Sequence, residues 1–205
     1  MTWIFHFTHY KNLGSILNTG GLKCDSEMVN RDHAIVGNRD IKTRRFFKNV
    51  TVPPNGVVAD YVPFYFAPRS PMLYSIHRGN VPQCDYGQNE VVYLCTKVED
   101  VVSKAECCFT DRNAALTFAS FYKDTNQLQD VVDMPLMRER MWNNTPDDLD
   151  RMERRMAEFL VHRFFLWELV QYIGVANVEV KNYVDGLLQN SGQDVTTEVR
   201  TNWYY

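Results

Sequence analysis

The sequence has no C-x-x-C pair, no apolar run long enough to span a bilayer, no internal repeat and no low-complexity tract. Each absence removes a class of protein. Cys24, Cys84, Cys95, Cys107 and Cys108 are odd in number and scattered, and neighbours 107 and 108 are poor disulfide partners, so all five read as reduced thiols of a cytoplasmic protein. His6, His9, His33, His77 and His162 show no ligand spacing with those cysteines, and no metal site is expected. The opening "MTWIFHFTH" lacks a basic stretch followed by a long apolar one, so it does not read as a secretory signal, and no membrane association is expected. An excess of positive charge is also missing. Lys and Arg number 22 against 25 Asp and Glu, a net charge of −3, which argues against a long non-specific phosphate-binding surface and leaves room for a local basic groove.

What is present fits one domain over residues 1–205, since 45% hydrophobic and 23% charged residues lie in the globular range. "WIFHFTH" (3–9) alternates as a strand does. Leu13, Ile16 and Leu17 then mark a helical face that Gly20 and Gly21 end. Residues 23–56 are polar with little periodicity, a length of loop that usually carries function. A strand is predicted over 90–98. A helix is predicted over 109–124, with Thr110 or Asp111 as its cap and Ala115, Phe118, Phe121 and Tyr122 at helical spacing. A second is predicted from 144 to 156, capped by Thr145 with Pro146 at its first position. "AEFLVHRFF" and "LVQYIGVANV" contain strands, "VEVKNYVDGLLQN" is a helix, and "TEVRTNWYY" closes as a strand. Strands and helices mix without regular alternation, which predicts an α+β fold.

Three groups of residues can carry chemistry. If the helix of 146–156 continues, Glu158 points to solvent beside Arg154 or Arg155. If a strand starts at Ala157, Glu158 shares a face with Leu160 and His162 and needs a partner. Pattern alone leaves both open. Arg44 and Arg45 in "IKTRRFFKNV" are either a solvated basic turn or a guanidinium clamp for phosphate. His6 and Thr8 share one face of the first strand, as a satisfied core pair or as hydrogen-bonding groups for a sugar. "DYVPFYFAPRSPMLY" (60–74) holds five aromatics and three prolines. It is too broken for a helix, and it reads as an aromatic core strand or as a platform on which bases stack. Phe64 and Phe66, alternating with Tyr65, are expected to face the core.

"IFHFTHYKNLGSIL", "IKTRRF", "DYVPFYFAPRSPMLY", "FTDRNAA", "RRMAEFLVHRFF" and "NWYY", in that order, resemble the DarT family of DNA ADP-ribosyltransferase toxins from bacterial toxin–antitoxin pairs. The resemblance implies an ADP-ribosyltransferase fold, two small mixed or antiparallel sheets framing an NAD cleft with flanking helices. It implies a bacterial cytoplasmic enzyme that uses NAD as substrate, without a metal, to modify a base in single-stranded DNA. A macrodomain antitoxin of the DarG type is the implied partner. Carried onto this chain, Glu158 is the catalytic carboxylate at the start of a strand and Arg45 the second catalytic residue. His6, Phe7, Thr8, Ser15, Arg45 and Tyr65 hold NAD, with Tyr65 against the nicotinamide. Arg69, Met72, Tyr74, Asn113 and Trp142 contact DNA. Residues 25–48 are a lid over NAD, and the region from about 109 to 157 recognises the substrate. Leu166 stands where the family often has proline, and Asn113 where it often has histidine or glycine close by. Alanine at 158 is expected to abolish transfer and spare the fold.

Overall fold

The computed structural model describes residues 1–28, 34, 39–82 and 84–205. Strand β1 (Trp3–His9) leads to helix α1 (Leu13–Thr19), which stops at Gly20 in the left-handed conformation (φ 76°), and to the short strand β2 (Gly21–Lys23). Helix α2 (Arg39–Phe47), strand β3 (Tyr61–Tyr65) and helix α3 (Pro71–His77) follow. Next come β4 (Val91–Lys97), α4 (Val98–Val102), β5 (Cys107–Thr110), β6 (Phe121–Tyr122), α5 (Leu128–Val131), α6 (Met134–Arg138) and α7 (Arg151–Arg154). The chain closes with β7 (Glu158–His162), β8 (Phe164–Leu166), β9 (Tyr172–Val175), α8 (Val178–Asn190) and β10 (Thr196–Val199).

Eight strands join in the order β10-β9-β4-β1-β3-β7-β5-β6, and β2 pairs with β8 in a second, two-stranded sheet. Neighbours are antiparallel except β9 and β10. The fold is α+β, and the larger sheet is nearly two sheets. β1 pairs with β4 along its whole length, from Trp3↔Lys97 to His9↔Val91, and β3 with β7 from Tyr61↔His162 to Tyr65↔Glu158. Between these halves, β1 and β3 meet only at Phe5↔Tyr65.

Pro63 explains the seam. Its carbonyl accepts from His6 Nδ1 at 2.8 Å, so this edge of β3 faces β1. A residue's N–H and C=O leave a strand on the same side, and proline has no N–H to offer there. The ladder therefore ends where a cleft opens.

The core lies on both faces of this sheet. Leu13 and Ile16 of α1 and Val180, Val184 and Leu188 of α8 pack with Ile4, Leu94, Phe64 and Phe159. On the other face, Met72, Leu73 and Ile76 of α3 pack with Phe5, Tyr93 and Tyr204. All five cysteines are free thiols.

Residues 60–74 combine two elements. Phe64 (1% exposed) and Phe66 (6%) face the core as their alternation predicts. The prolines then begin a helix rather than forbid one: Pro71 takes the first position of α3, and the Ser70 hydroxyl accepts from the Leu73 N–H at 3.2 Å.

Three expected elements differ. No helix spans 109–124, which instead ends one strand, turns, and starts another. Asp111 Oδ1 accepts from the Ser120 N–H and Asn113 Oδ1 from the Ala115 N–H, so short polar side chains take the backbone away from a helix. No helix starts at Thr145 either. Thr145 and Asp148 bond each other's backbones in a closed turn, and α7 starts only at Arg151. Third, the last strand stops at Val199, and a tight turn over Thr201–Trp203 carries Tyr204 and Tyr205 back onto α3.

Candidate active site

The cleft at the seam has an empty volume of about 1180 Å³, counting the solvent at its open mouth. His6, Phe7 and Thr8 of β1, Ser15 of α1, Arg45 of α2 and Tyr65 of β3 all line it. The six residues expected to hold NAD thus converge on one cavity from four elements.

Glu158 begins β7, so the strand alternative holds, with Leu160 turned to the cluster of Tyr61 and Cys108 and Phe159 to the main core. Its carboxylate is 1% exposed and Arg45 6%, and Arg45 Nη1 donates to Glu158 Oε2 at 2.7 Å. The other oxygen, Oε1, accepts from the Ala114 N–H at 2.9 Å. The Thr110 hydroxyl accepts from the Glu158 N–H at 3.1 Å and donates to the Arg112 carbonyl at 2.6 Å, which ties the 110–114 turn to the head of β7. A buried pair is stable only when its remaining donors and acceptors are used. One is not: Arg45 Nη2 is buried without a hydrogen-bond partner among the described residues. Burial works to lower the Arg45 pKa, but Glu158 and then Asp25 outweigh it and hold the guanidinium above its ordinary value. Burial, joined by the Glu158 charge, pushes the Tyr65 hydroxyl up, so it stays a donor. The Phe7 and Tyr65 rings stack with centroids 5.7 Å apart, leaving one aromatic wall in place of two separate ones.

In the same cleft, burial holds His6 down at about 4, against the Pro63 carbonyl, which pulls the other way. The neutral ring donates from Nδ1 and keeps Nε2 as an acceptor. Because the folded value lies below the unfolded 6.5, the stability gained from the neutral ring is complete above pH 6.5 and is lost as pH falls toward 4. His6→Asn keeps a donor for the Pro63 carbonyl but does not titrate. Urea unfolding at pH 7 and pH 4.5 should show the native chain losing more stability than His6→Asn. Equal losses would remove His6 from the acid response.

Three cleft residues carried no sequence signal. Asn12 Nδ2 donates to the Thr8 hydroxyl at 3.1 Å and to the Ala34 carbonyl at 2.9 Å, and its Oδ1 accepts from the Ala34 N–H at 3.0 Å, so it grips the segment after α1. Asp25 and Lys42 form an ion pair of 2.8 Å, and Lys42, overcoming burial, holds the Asp25 carboxyl below its ordinary value. Residues 29–33 and 35–38 of the expected lid lie outside the described residues.

The five expected DNA contacts separate into three places. Arg69, Tyr74 and Trp142 gather around Tyr205: the Arg69 guanidinium lies 4.0 Å over its ring, Tyr74 meets it edge-on at 5.0 Å, and the Trp142 indole N–H donates to its hydroxyl at 2.7 Å. Met72 is 9% exposed and lines the cleft itself. Asn113 is 5% exposed beside Glu158, with its side chain engaged by the Ala115 N–H and Met156. Among the described residues no group of three or more His, Cys, Asp or Glu converges as a metal site, and no helix is long and apolar enough to cross a membrane.

A split sheet whose seam opens into a cleft lined by Arg45, with the buried Glu158 paired to that arginine but not itself lining the cleft, fits an ADP-ribosyltransferase-type site. The family model described as "ssDNA thymidine ADP-ribosyltransferase, DarT" matches residues 5–205, and the chain belongs to that family. It is 35% identical over 209 residues to a DNA ADP-ribosyl transferase of Thermus aquaticus, covering 100% of this chain and 89% of that protein. The solved structure of Thermus sp. 2.9 DarT in complex with ADP-ribosylated ssDNA superposes with a TM-score of 0.92 at 32% identity, covering 100% of this chain and 96% of the other. The same Thermus protein in complex with NAD+ gives 0.87 at 32% identity, covering 100% and 98%.

Proposed function

We propose that this chain transfers ADP-ribose from NAD to thymidine in single-stranded DNA, with Glu158 and Arg45 as its catalytic residues. The observation that carries this is the buried Arg45–Glu158 pair, of which Arg45 lines the cleft and keeps one guanidinium nitrogen, Nη2, unpaired among the described residues. That nitrogen suits a pyrophosphate oxygen, and His6 Nε2 and the Thr8 hydroxyl suit ribose hydroxyls.

The bond between nicotinamide and C1′ of its ribose breaks, and its electron pair leaves with the nicotinamide, which becomes neutral. The sugar gains oxocarbenium character, which the Glu158 carboxylate stabilises. Thymine in a DNA strand, whose other ring nitrogen carries the deoxyribose, has a single ring N–H. That nitrogen gives its proton to Glu158 as it forms the new bond to C1′, so one proton is released per transfer. Arg45 is a poor acceptor because its pKa is held high, and it serves as the electrostatic partner. A single strand suits the reaction because an unstacked base costs less to present.

Incubating the chain with NAD and a short oligonucleotide, followed by mass spectrometry, should find one ADP-ribose on a thymidine and one nicotinamide released. Label only on protein or RNA, or binding without release of nicotinamide, would overturn the proposal. A DarG-type macrodomain antitoxin in the same bacterial cytoplasm is the partner this activity calls for.

A further inference from the structure

Thr110 is the last residue of β5 and fully buried, at 0% exposed. β5 and β7 pair through Cys107↔Val161, Cys108↔Leu160 and Phe109↔Phe159. The next rung in that register joins Thr110 to Glu158, and there a side chain stands in for the main chain: the Glu158 N–H donates to Thr110 Oγ1 at 3.1 Å. The same hydroxyl gives its own proton to the Arg112 carbonyl at 2.6 Å. One lone pair thus holds the first residue of β7, and the hydrogen holds the first bend of the turn that follows. A hydroxyl this deeply buried is stable only when bonded in such a way. In the sequence Thr110 stands where a helix cap is expected. In the fold it caps a strand, while its backbone stays in register with Phe121 of β6.

The turn that starts at Thr110 comes back on the carboxylate. Four residues on, the N–H of Ala114, itself 0% exposed, donates to Glu158 Oε1 at 2.9 Å, while Arg45 Nη1 donates to Oε2 at 2.7 Å. The two arms have different origins, one in the turn and one in α2. A glutamate side chain has three rotatable bonds, so a single arm leaves its carboxylate free to swing. Two arms on two oxygens define its plane. The arm from the turn depends on short bonds within 110–116: Thr110 to the Arg112 carbonyl, the Ala115 N–H to Asn113 Oδ1 at 2.9 Å, and the Leu116 N–H to the Asn113 carbonyl at 3.0 Å. Of these groups only the Thr110 hydroxyl also holds the Glu158 main chain. It therefore sets both the root of the side chain and the donor that meets its tip.

We propose that Thr110 is a positioning residue for the transfer reaction: its hydroxyl fixes the Ala114 N–H relative to the head of β7, and thereby fixes where the Glu158 carboxylate stands when C1′ and the base meet. The role rests on the reading of Glu158 as the catalytic carboxylate. Thr110 does not line the cleft, so it acts through Glu158 and not on NAD. Its effect belongs to the rate of the bound complex, because a misplacement of about 1 Å costs about 10²-fold in rate.

The test uses the full chain with NAD and a thymidine-containing oligonucleotide, both saturating, and reads single-turnover transfer by mass spectrometry. Thr110→Val keeps the shape of the side chain and removes the hydroxyl. It should lower the rate by about 10²-fold and leave the affinities for NAD and for the oligonucleotide at their native values. Thr110→Ser, which keeps the hydroxyl, should recover most of the rate. A native rate in Thr110→Val, or a loss that appears in NAD affinity and is not recovered by serine, would overturn the role. If Thr110→Val fails to fold, replacement of Ala114 by lactic acid decides the matter, since the ester oxygen removes that one N–H and leaves Thr110 in place. The ester chain should lose transfer by a similar factor with NAD affinity intact, and a native rate would again overturn the role. In either case DNA labelling by the native chain leaves the main reading standing. A native chain that labels no DNA would sink the main reading instead.

Discussion

Glu158→Gln should lower the rate of transfer to an oligonucleotide by about 10²–10⁴-fold, the range for a lost general base, while NAD still binds. The amide keeps the volume of the side chain, and its oxygen can still accept from Ala114 N–H or from Arg45. What it loses is charge and the ability to take a proton. Single-turnover mass spectrometry gives the rate, and calorimetry gives the NAD affinity. A folded Glu158→Gln protein that labels DNA at the native rate would remove Glu158 from the chemistry. Alanine is the poorer probe. The expectation that Glu158→Ala spares the fold does not suit this geometry, because it leaves Arg45 buried at 6% exposure without a counter-ion. Breaking one side of such a pair costs about 3–5 kcal/mol.

The regular elements were legible because period and burial coincide there. β1 covers Trp3–His9, and α8 covers Val178–Asn190, the limits their patterns predict. The stretches 109–124 and 144–156 misled because apolar spacing mimicked a buried face. Phe118 is 81% exposed and Leu149 is 74% exposed. In the second stretch the backbone follows polar side chains instead: Asn144 Oδ1 accepts from the Met152 N–H, and Arg154 bonds Asp133, Asp148 and Asp150. Those partners are set by the folded chain, so no window of sequence announces them.

The site divides in the same way. Glu158 was undecidable from pattern because the helix and strand readings differ by the start of one element. The family resemblance chose the strand, and the tie from Thr110 and Ala114 gives the choice a physical cause. Asn12, Asp25 and Lys42 line one cavity although they are far apart in sequence, Asn12 bonding Ala34 and Asp25 pairing with Lys42. Arg155, adjacent to four charged residues at 150, 151, 153 and 154, looked like part of a solvated helix face. It is the one cation of that run that the fold buries.

Stability should respond to the Arg45–Glu158 pair as a unit. In Glu158→Leu the guanidinium of Arg45 remains buried and unpaired, and in Arg45→Met the carboxylate of Glu158 keeps only the Ala114 N–H. Each single change should cost about 3–5 kcal/mol, which for a chain of this size lowers Tm by roughly 6–20 °C. The double variant Arg45→Met, Glu158→Leu removes both charges and fills the space with apolar side chains. Replacing a buried pair in this way is often neutral or stabilising, so the double variant should recover most of the lost Tm while remaining inactive. The coupling free energy from the cycle of four proteins should then exceed about 3 kcal/mol, the top of the usual range for residues in contact. Calorimetric melts of the four proteins supply it. Additive losses in the double variant would mean that Arg45 and Glu158 stabilise the fold through separate neighbours. The native pair would then owe its place to packing on either side of the seam at Phe5 and Tyr65, and not to the attraction between its charges.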